Sequence, residues 1–126
     1  MKLEHIAIYV KDLEKSKSFY SAYFGGKASE KYVNTAKQFS SYFITFESGS
    51  RLEIMHQPHR ILLNPSENLG IHHLAFSAGS REKVDEFTEK FRKDGFTIYG
   101  EPRITGDGYY ESVILDPDGN MLEITE

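Results

Sequence analysis

HIAIYV at residues 5–10 and HLAFSA at residues 73–78 follow one plan, a histidine followed by alternating apolar side chains. Each stretch has a counterpart later in the chain, RLEI at residues 51–54 and MLEI at residues 121–124. The histidines lie 68 positions apart (5 to 73) and the glutamates 70 positions apart (53 to 123). Alternation with a period of two is typical of β-strands. The pattern therefore predicts a chain made of two copies of one strand-rich unit.

A helix is predicted after the first strand of each half. In the first half Asp12 is a suitable N-cap residue, and the helix is expected to end near Phe24, before a pair of glycines. In the second half Ser80 has the capping role, and Gly95 marks the end of the helix. Both halves thus show the order strand, helix, strands.

The remaining strands complete the prediction of the fold. They are expected near residues 31–33, 41–47 and 51–56 in the first half, and near 97–99, 110–115 and 120–125 in the second. We therefore predict an α+β fold of two tandem βαβββ modules, residues 1–56 and 71–126, joined by a crossover over residues 57–70. At 126 residues the two modules are expected to form a single domain.

Composition narrows the classes of function. The net charge of -4 and the absence of a lysine or arginine block argue against a nucleic-acid partner. No apolar run approaches the ~18 residues that a membrane-spanning helix needs, and we expect no targeting segment before the first strand. We therefore expect a cytoplasmic protein without a membrane partner. Cysteine is absent, which excludes thiolate ligands and a cysteine nucleophile.

Four residues are candidates for a metal centre: His5, Glu53, His73 and Glu123. Successive side chains of a strand point to opposite faces of the sheet. By this rule all four candidates point away from the apolar residues beside them, and hence away from the helix-covered face. Two imidazoles and two carboxylates suit Ni²⁺, Zn²⁺, Co²⁺, Mn²⁺ or Fe²⁺. The alternative is that each is an ordinary solvated side chain, but their matched positions in the two halves favour a divalent metal site.

Three stretches carry a family resemblance: HIAIYVKDLEKSKSFY at residues 5–20, GIHHLAFSA at 70–78 and LDPDGNMLEI at 115–124. On these stretches the chain resembles the vicinal oxygen chelate superfamily, which includes glyoxalase I, bleomycin resistance proteins and dioxygenases. The resemblance implies the glyoxalase/bleomycin resistance/dioxygenase fold. It also implies a homodimer whose metal sites each draw one module from each chain.

The resemblance also implies an activity. The glyoxalase I ligand set, His, Glu, His, Glu, transfers onto His5, Glu53, His73 and Glu123, with Glu123 as the catalytic base and Glu53 as its counterpart. We expect a metal-dependent lyase or isomerase, similar to lactoylglutathione lyase, that acts on a small oxo-metabolite or its thiol adduct through a metal-bound enediolate. Tyr9 stands where glyoxalase I commonly has an arginine for glutathione, so thiols other than glutathione stay open.

Two other classes of function remain as alternatives. One is a dioxygenase or thiol transferase of the same fold, in which His5, His73 and Glu123 form the ligand set. The other is a non-enzymatic resistance protein that binds a small molecule in an aromatic cleft. Outside the ligand set, His72 is expected to point to the face opposite His73. Residues 105–108, Thr-Gly-Asp-Gly, are expected to form a lid or a plain surface loop.

Overall fold

The structure is a computed structural model that describes residues 4–59, 71–106 and 108–126. The chain divides into two compact units, Met1–Leu62 and Leu63–Glu126. The predicted crossover falls largely on residues 60–70, and Asp107 belongs to the predicted loop; both lie outside the described residues.

The first unit is a mixed sheet with one helix. Its elements are β1 (His5–Tyr9), α1 (Leu13–Phe24), β2 (Lys27–Ala28), β3 (Tyr32–Asn34), β4 (Phe39–Thr45) and β5 (Arg51–His56). The strand order is β1-β5-β4-β2, and β3 also pairs with β4. β1 runs parallel to β5, and the other pairs are antiparallel.

The second unit repeats this arrangement. Its elements are β6 (His73–Ser77), α2 (Arg81–Lys93), β7 (Ile98–Ile104), β8 (Tyr110–Leu115) and β9 (Met121–Thr125). The strand order is β6-β9-β8-β7, with β6 parallel to β9 and the rest antiparallel. Two sheets and two helices in this order confirm the predicted α+β fold of two βαβββ modules.

The predicted helix boundaries are confirmed. The Asp12 side chain accepts a hydrogen bond from the Lys15 backbone N–H at 3.0 Å, and Gly25 ends α1 in the left-handed conformation with φ of 65°. Ser80 caps α2 by accepting from the Lys83 N–H at 3.4 Å. These side chains satisfy N–H groups that a helix start leaves without backbone partners.

Each helix covers one face of its own sheet. Apolar side chains fill the space between, and the following are buried: in the first unit Leu13, Phe19, Tyr20, Ile44, Leu52 and Ile54, and in the second Val84, Phe91, Ile114, Leu122 and Ile124. In β5 and β9 these buried residues alternate with partly exposed ones. The glutamates at the centre of each strand therefore point to the face without the helix.

The outer strand of the first unit differs from the prediction. A single strand near residues 31–33 was expected, but two short strands, β2 and β3, both pair with β4. Ser29 lies between them, and its backbone N–H donates to the Phe43 carbonyl at 2.8 Å while its hydroxyl accepts from the Phe43 N–H at 3.0 Å. A side-chain oxygen thus replaces a backbone carbonyl in the ladder, and this splits the strand.

The two units agree in register as well as in order. Ala7 is paired with Glu53 across β1 and β5, and Ala75 is paired with Glu123 across β6 and β9. Each histidine therefore lies two residues before the partner of its glutamate. Among the described residues, no helix is long and apolar enough to cross a membrane.

Candidate metal centre

The first unit brings His5 and Glu53 together on neighbouring strands. The His5 Nε2 atom lies 3.9 Å from Oε2 of Glu53. The Glu53 side chain is 17% exposed and the His5 side chain 36%. The Phe43 ring packs edge-on against the imidazole, with centroids 5.1 Å apart. Both polar groups are thus accessible, and the imidazole is held against an aromatic ring.

The second unit forms the same pair from His73 and Glu123. The His73 Nε2 atom lies 3.3 Å from Oε2 of Glu123, with side-chain exposures of 37% and 20%. The shared register of the parallel strand pairs explains the likeness, because it sets the same diagonal offset between histidine and glutamate in each unit. The chain therefore holds two His–Glu pairs of the same design.

In both units the residue before the histidine contacts the other ring nitrogen. Glu4 Oε2 lies 2.5 Å from His5 Nδ1, and His72 Nδ1 lies 3.0 Å from His73 Nδ1. Because a carboxylate only accepts, His5 donates through Nδ1, which leaves the lone pair of the neutral ring on Nε2. An Nδ1–H bonded in this way is the usual state of a metal-binding histidine.

The Glu4 carboxylate is held from two sides. It contacts His5 and also the guanidinium of Arg51, which stacks over the Phe43 ring at 4.3 Å. The hydrogen bond from His5, followed by that from Arg51, holds the pKa of Glu4 below its usual value. Glu4 is therefore a stable acceptor for the His5 ring, a role that no sequence pattern indicated beyond its position next to His5.

The donor geometry of each pair suits a divalent cation. Two donors that each lie ~2.1 Å from one ion are about 3.0–3.4 Å apart at octahedral or tetrahedral angles. The separation of 3.3 Å in the second unit is within this interval, and 3.9 Å in the first requires a small side-chain adjustment. Imidazole nitrogen and carboxylate oxygen are ligands that first-row divalent metals accept. The two donor atoms of each pair thus suit two coordination positions of one such ion.

In the described part of each unit, no third side chain joins the His–Glu pair as a metal ligand. Within each unit, no group of three or more His, Asp or Glu side chains among the described residues is placed to hold a metal ion. The four-ligand set therefore stays a prediction.

The pair of the second unit opens into a cavity of about 370 Å³. A volume of this size is at the small end of the range for ligand pockets, ~300–1,000 Å³. Its lining includes His72, His73, Tyr99, Arg103, Met121 and Glu123. The cavity thus combines apolar and aromatic surface with the candidate ligands and one guanidinium.

The prediction for His72 was wrong. It was expected on the face opposite His73, but it lines the same cavity, and the two rings are in edge contact with centroids 5.3 Å apart. The physical reason is that β6 begins at His73, so the strand alternation does not extend to His72. No sequence pattern indicated that Arg103 would line this cavity.

Comparison with known proteins places the chain in a family. The model of the glyoxalase/bleomycin resistance protein/dioxygenase superfamily matches residues 2–124. The chain belongs to this superfamily. It is 30% identical to the uncharacterised protein YqjT of Bacillus subtilis over 97% of this chain and 96% of that protein.

Two further matches cover only part of the other protein. Lactoylglutathione lyase of Schizosaccharomyces pombe is 35% identical over 82 residues, which are 65% of this chain but 25% of that enzyme. The crystal structure of glyoxalase I from Zea mays matches with a TM-score of 0.81 and 22% identity, over 98% of this chain and 44% of the maize chain. The structural match supports the fold, and the sequence match shows that the chain has a weak similarity to a lyase.

Proposed function

We propose that this protein is a divalent-metal-dependent lyase or isomerase of the glyoxalase I type. The substrate in this proposal is a small oxo-metabolite or its thiol adduct, and no nucleic acid or membrane is involved. The observation that carries the proposal is the repeated His–Glu pair, in the same register in both units and with Nε2 directed at the carboxylate. Partial similarity to a lactoylglutathione lyase supports the reaction class.

In this proposal His5, Glu53, His73 and Glu123 hold one ion, with one pair from each unit. The ion would be Ni²⁺, Zn²⁺, Co²⁺, Mn²⁺ or Fe²⁺, and when bound it would supply a positive charge beside two neighbouring substrate oxygens. We further propose a homodimer in which each site takes its two pairs from different chains.

Glu123 is the proposed base. Its carboxylate lines the cavity, and 20% exposure of its side chain leaves it open to a bound molecule. A base must lie within hydrogen-bond reach of the proton that it removes. Glu123 would take the proton from the hydroxyl-bearing carbon of the adduct, the electron pair would form an enediolate, and the same proton would return to the adjacent carbon. Glu53 is the counterpart on the other unit.

Elemental analysis of the protein as purified tests metal binding. We expect about one divalent ion per chain, since each ion uses both pairs. Removing one donor by His5→Ala or His73→Ala is expected to weaken binding at least about tenfold, because a site that loses a ligand loses affinity. His59→Ala is the matched control, since that exposed ring contacts Gln38 in a different part of the first unit. Metal binding that none of these variants changes would refute the ligand set.

Turnover of methylglyoxal with several thiols tests the reaction. Glu123→Gln keeps an oxygen donor but has no basic carboxylate, so we expect kcat to fall at least about a hundredfold, the usual contribution of a general base. Oxygen uptake with Fe²⁺ and a catechol would instead indicate the dioxygenase alternative. Tight binding of a small molecule without metal or turnover would indicate a resistance protein.

A further inference from the structure

The side chains around His5 form a set that holds one imidazole in place. Glu4 Oε2 lies 2.5 Å from the His5 Nδ1 atom, and Oε1 of the same carboxylate contacts the Arg51 guanidinium. Arg51 lies directly opposite His5 in the pairing of β1 with β5. The Phe43 ring is in edge contact with the imidazole, and the guanidinium lies over its face. Each of the four side chains thus contacts two of the others.

The exposure of Glu4 makes this arrangement dependent on Arg51. The Glu4 side chain is 59% exposed, and a carboxylate with that much access to water gains little from a single ion pair. Arg51 is partly buried and stacks on an aromatic ring, which restricts the positions that its guanidinium can take. Because Arg51 binds Oε1, the second carboxylate oxygen stays directed at the His5 ring.

The second unit forms the same strand pairs without these side chains. At the matching positions it has His72 for Glu4, Met121 for Arg51 and Val113 for Phe43. The strands β6, β8 and β9 nevertheless pair as their counterparts do. The Nδ1 atom of His73 therefore meets an imidazole, whereas that of His5 meets a carboxylate held by an arginine. The set in the first unit supports the imidazole and is not needed for the sheet.

A carboxylate at Nδ1 decides which ring nitrogen can bind a metal ion. A neutral imidazole carries its one proton on either nitrogen, and only the other nitrogen has a lone pair to donate. A carboxylate accepts only, so it selects the proton at Nδ1 and leaves the lone pair at Nε2. Nε2 is the atom that lies 3.9 Å from Oε2 of Glu53. A hydrogen bond to a charged acceptor is roughly twice as strong as one between neutral groups, which makes this selection firm.

We propose that Glu4, held by Arg51, is a positioning residue of the metal centre, which fixes His5 as the Nδ1-protonated ring and so raises the affinity for the ion. The inference rests on the proposed metal-dependent function, but the tautomer of His5 is a property of the metal-free protein. Outer partners of this kind raise the basicity of a ligand histidine, and their loss typically costs about ten- to a hundredfold in metal affinity.

Nitrogen-15 NMR of the metal-free, full-length protein tests the tautomer. At about pH 8, above the usual titration range of histidine, we expect His5 to show the Nδ1-protonated form. Glu4→Ala is expected to move both ring nitrogens of His5 towards a mixture of tautomers. Glu4→Gln keeps an acceptor oxygen and is expected to move them less. The ring nitrogens of His73 are the internal control. A His5 ring with the same signals in Glu4→Ala and in wild type would overturn the proposal.

Calorimetric titration with Ni²⁺ tests the effect on the ion. We expect Glu4→Ala to weaken binding about ten- to a hundredfold. Glu47→Ala is the matched control, because this exposed residue in the turn between β4 and β5 gives the same change of charge.

Arg51→Met separates positioning from simple attraction between charges. It installs the residue type that the second unit has at the matching position. Removing a positive charge near a cation would by attraction alone strengthen binding, whereas removing the support of Glu4 weakens it. We expect weaker binding of Ni²⁺, and stronger binding would overturn the proposal.

A double variant shows whether Glu4 acts through His5. In the His5→Ala background, Glu4→Ala is expected to cause no further loss of Ni²⁺ affinity, because the ring that it positions is absent. An equal loss in both backgrounds would indicate a general effect of charge and would overturn the proposal. Loss of Ni²⁺ affinity in Glu4→Ala, in a protein that turns over no adduct, would instead refute the lyase function alone.

Discussion

At the scale of single residues, Glu14 shows how strongly neighbours change a surface acid. Its carboxylate accepts hydrogen bonds from Lys17 at 2.5 Å, from the Tyr42 hydroxyl at 2.9 Å and from Lys31 at 3.1 Å. These three donors, Lys17 first, lower the pKa of Glu14 to about 2. The cluster connects α1 with β4 and with the segment before β3.

This shift predicts a pH dependence of stability. The pKa of Glu14 is lower in the folded than in the unfolded chain. The ionised carboxylate therefore adds to the free energy of unfolding in full above pH 4.5, and this contribution is lost as the pH falls towards 2. The side chain is 53% exposed, so screening limits the effect to about 1 kcal/mol or less. We expect Glu14→Gln to melt below wild type at pH 6, with a difference that closes by pH 2.

Thermal unfolding between pH 6 and pH 2 measures this difference. Glu47→Gln, in the turn between β4 and β5, is the control because it changes the net charge equally. If the melting temperatures of Glu14→Gln and wild type differed by the same amount over this whole interval, the lowered pKa of Glu14 would be contradicted.

Single residues also show the limit of prediction from sequence. The His–Glu pairs could be predicted, because strand alternation and the near-equal offsets already place each glutamate and histidine on one face. Arg103 could not be predicted, because β7 breaks the alternation at Gly100 and a period of two no longer gives the direction of its side chain. The role of Glu4 could not be predicted either, because it depends on a contact with the His5 ring and not on a spacing in the sequence.

At the scale of elements, a buried pair of hydroxyls joins α2 to its sheet. Thr88 and Ser112 are fully buried, and their oxygens are 2.7 Å apart. The Thr88 oxygen is also 2.7 Å from the Val84 carbonyl, so Thr88 donates to the carbonyl and accepts from Ser112. The helix is therefore held against β8 by a directional hydrogen bond as well as by apolar packing.

Breaking this pair is predicted to destabilise the second unit. Thr88→Val keeps the volume but leaves the Ser112 hydroxyl without this acceptor, at a cost of about 1–3 kcal/mol. Adding Ser112→Ala removes the stranded donor, so we expect the double variant to recover part of the loss. Urea unfolding measures both free energies. If the double variant lost as much free energy of unfolding as the two single variants added together, the coupling between Thr88 and Ser112 would be contradicted.

Elements were predicted best where local chemistry decides them. The caps at Asp12 and Ser80 and the glycine after α1 are short-range signals, and all three were confirmed. The division between β2 and β3 was missed because it depends on the Ser29 hydroxyl entering the ladder of a strand that is distant in sequence. Strand pairing of this kind carries no local signal.

At the scale of the whole molecule, the proposed dimer can be tested by complementation. Two inactive variants, His5→Ala and His73→Ala, are mixed and allowed to exchange chains. If each site takes one unit from each chain, a mixed dimer carries both defects in one site and none in the other. We then expect metal binding to recover to about a quarter of wild type, since half of the dimers are mixed and half of their sites are intact.

Metal content of the exchanged sample measures the recovery, and His5→Ala mixed with His5→Ala is the control. Sites built within one chain would give no recovery, because every chain then lacks one ligand. That result would refute the shared site and leave the ligand set standing.

The irregular outer strands have a consequence for solubility. β7 contains Pro102, which has no N–H to offer, and its two register shifts interrupt the row of backbone groups at the border of the sheet. In the first unit the gap between β2 and β3 does the same. Neither of these two borders is a good template for a strand from another molecule, so growth of a sheet at β7 or at β2 and β3 is disfavoured.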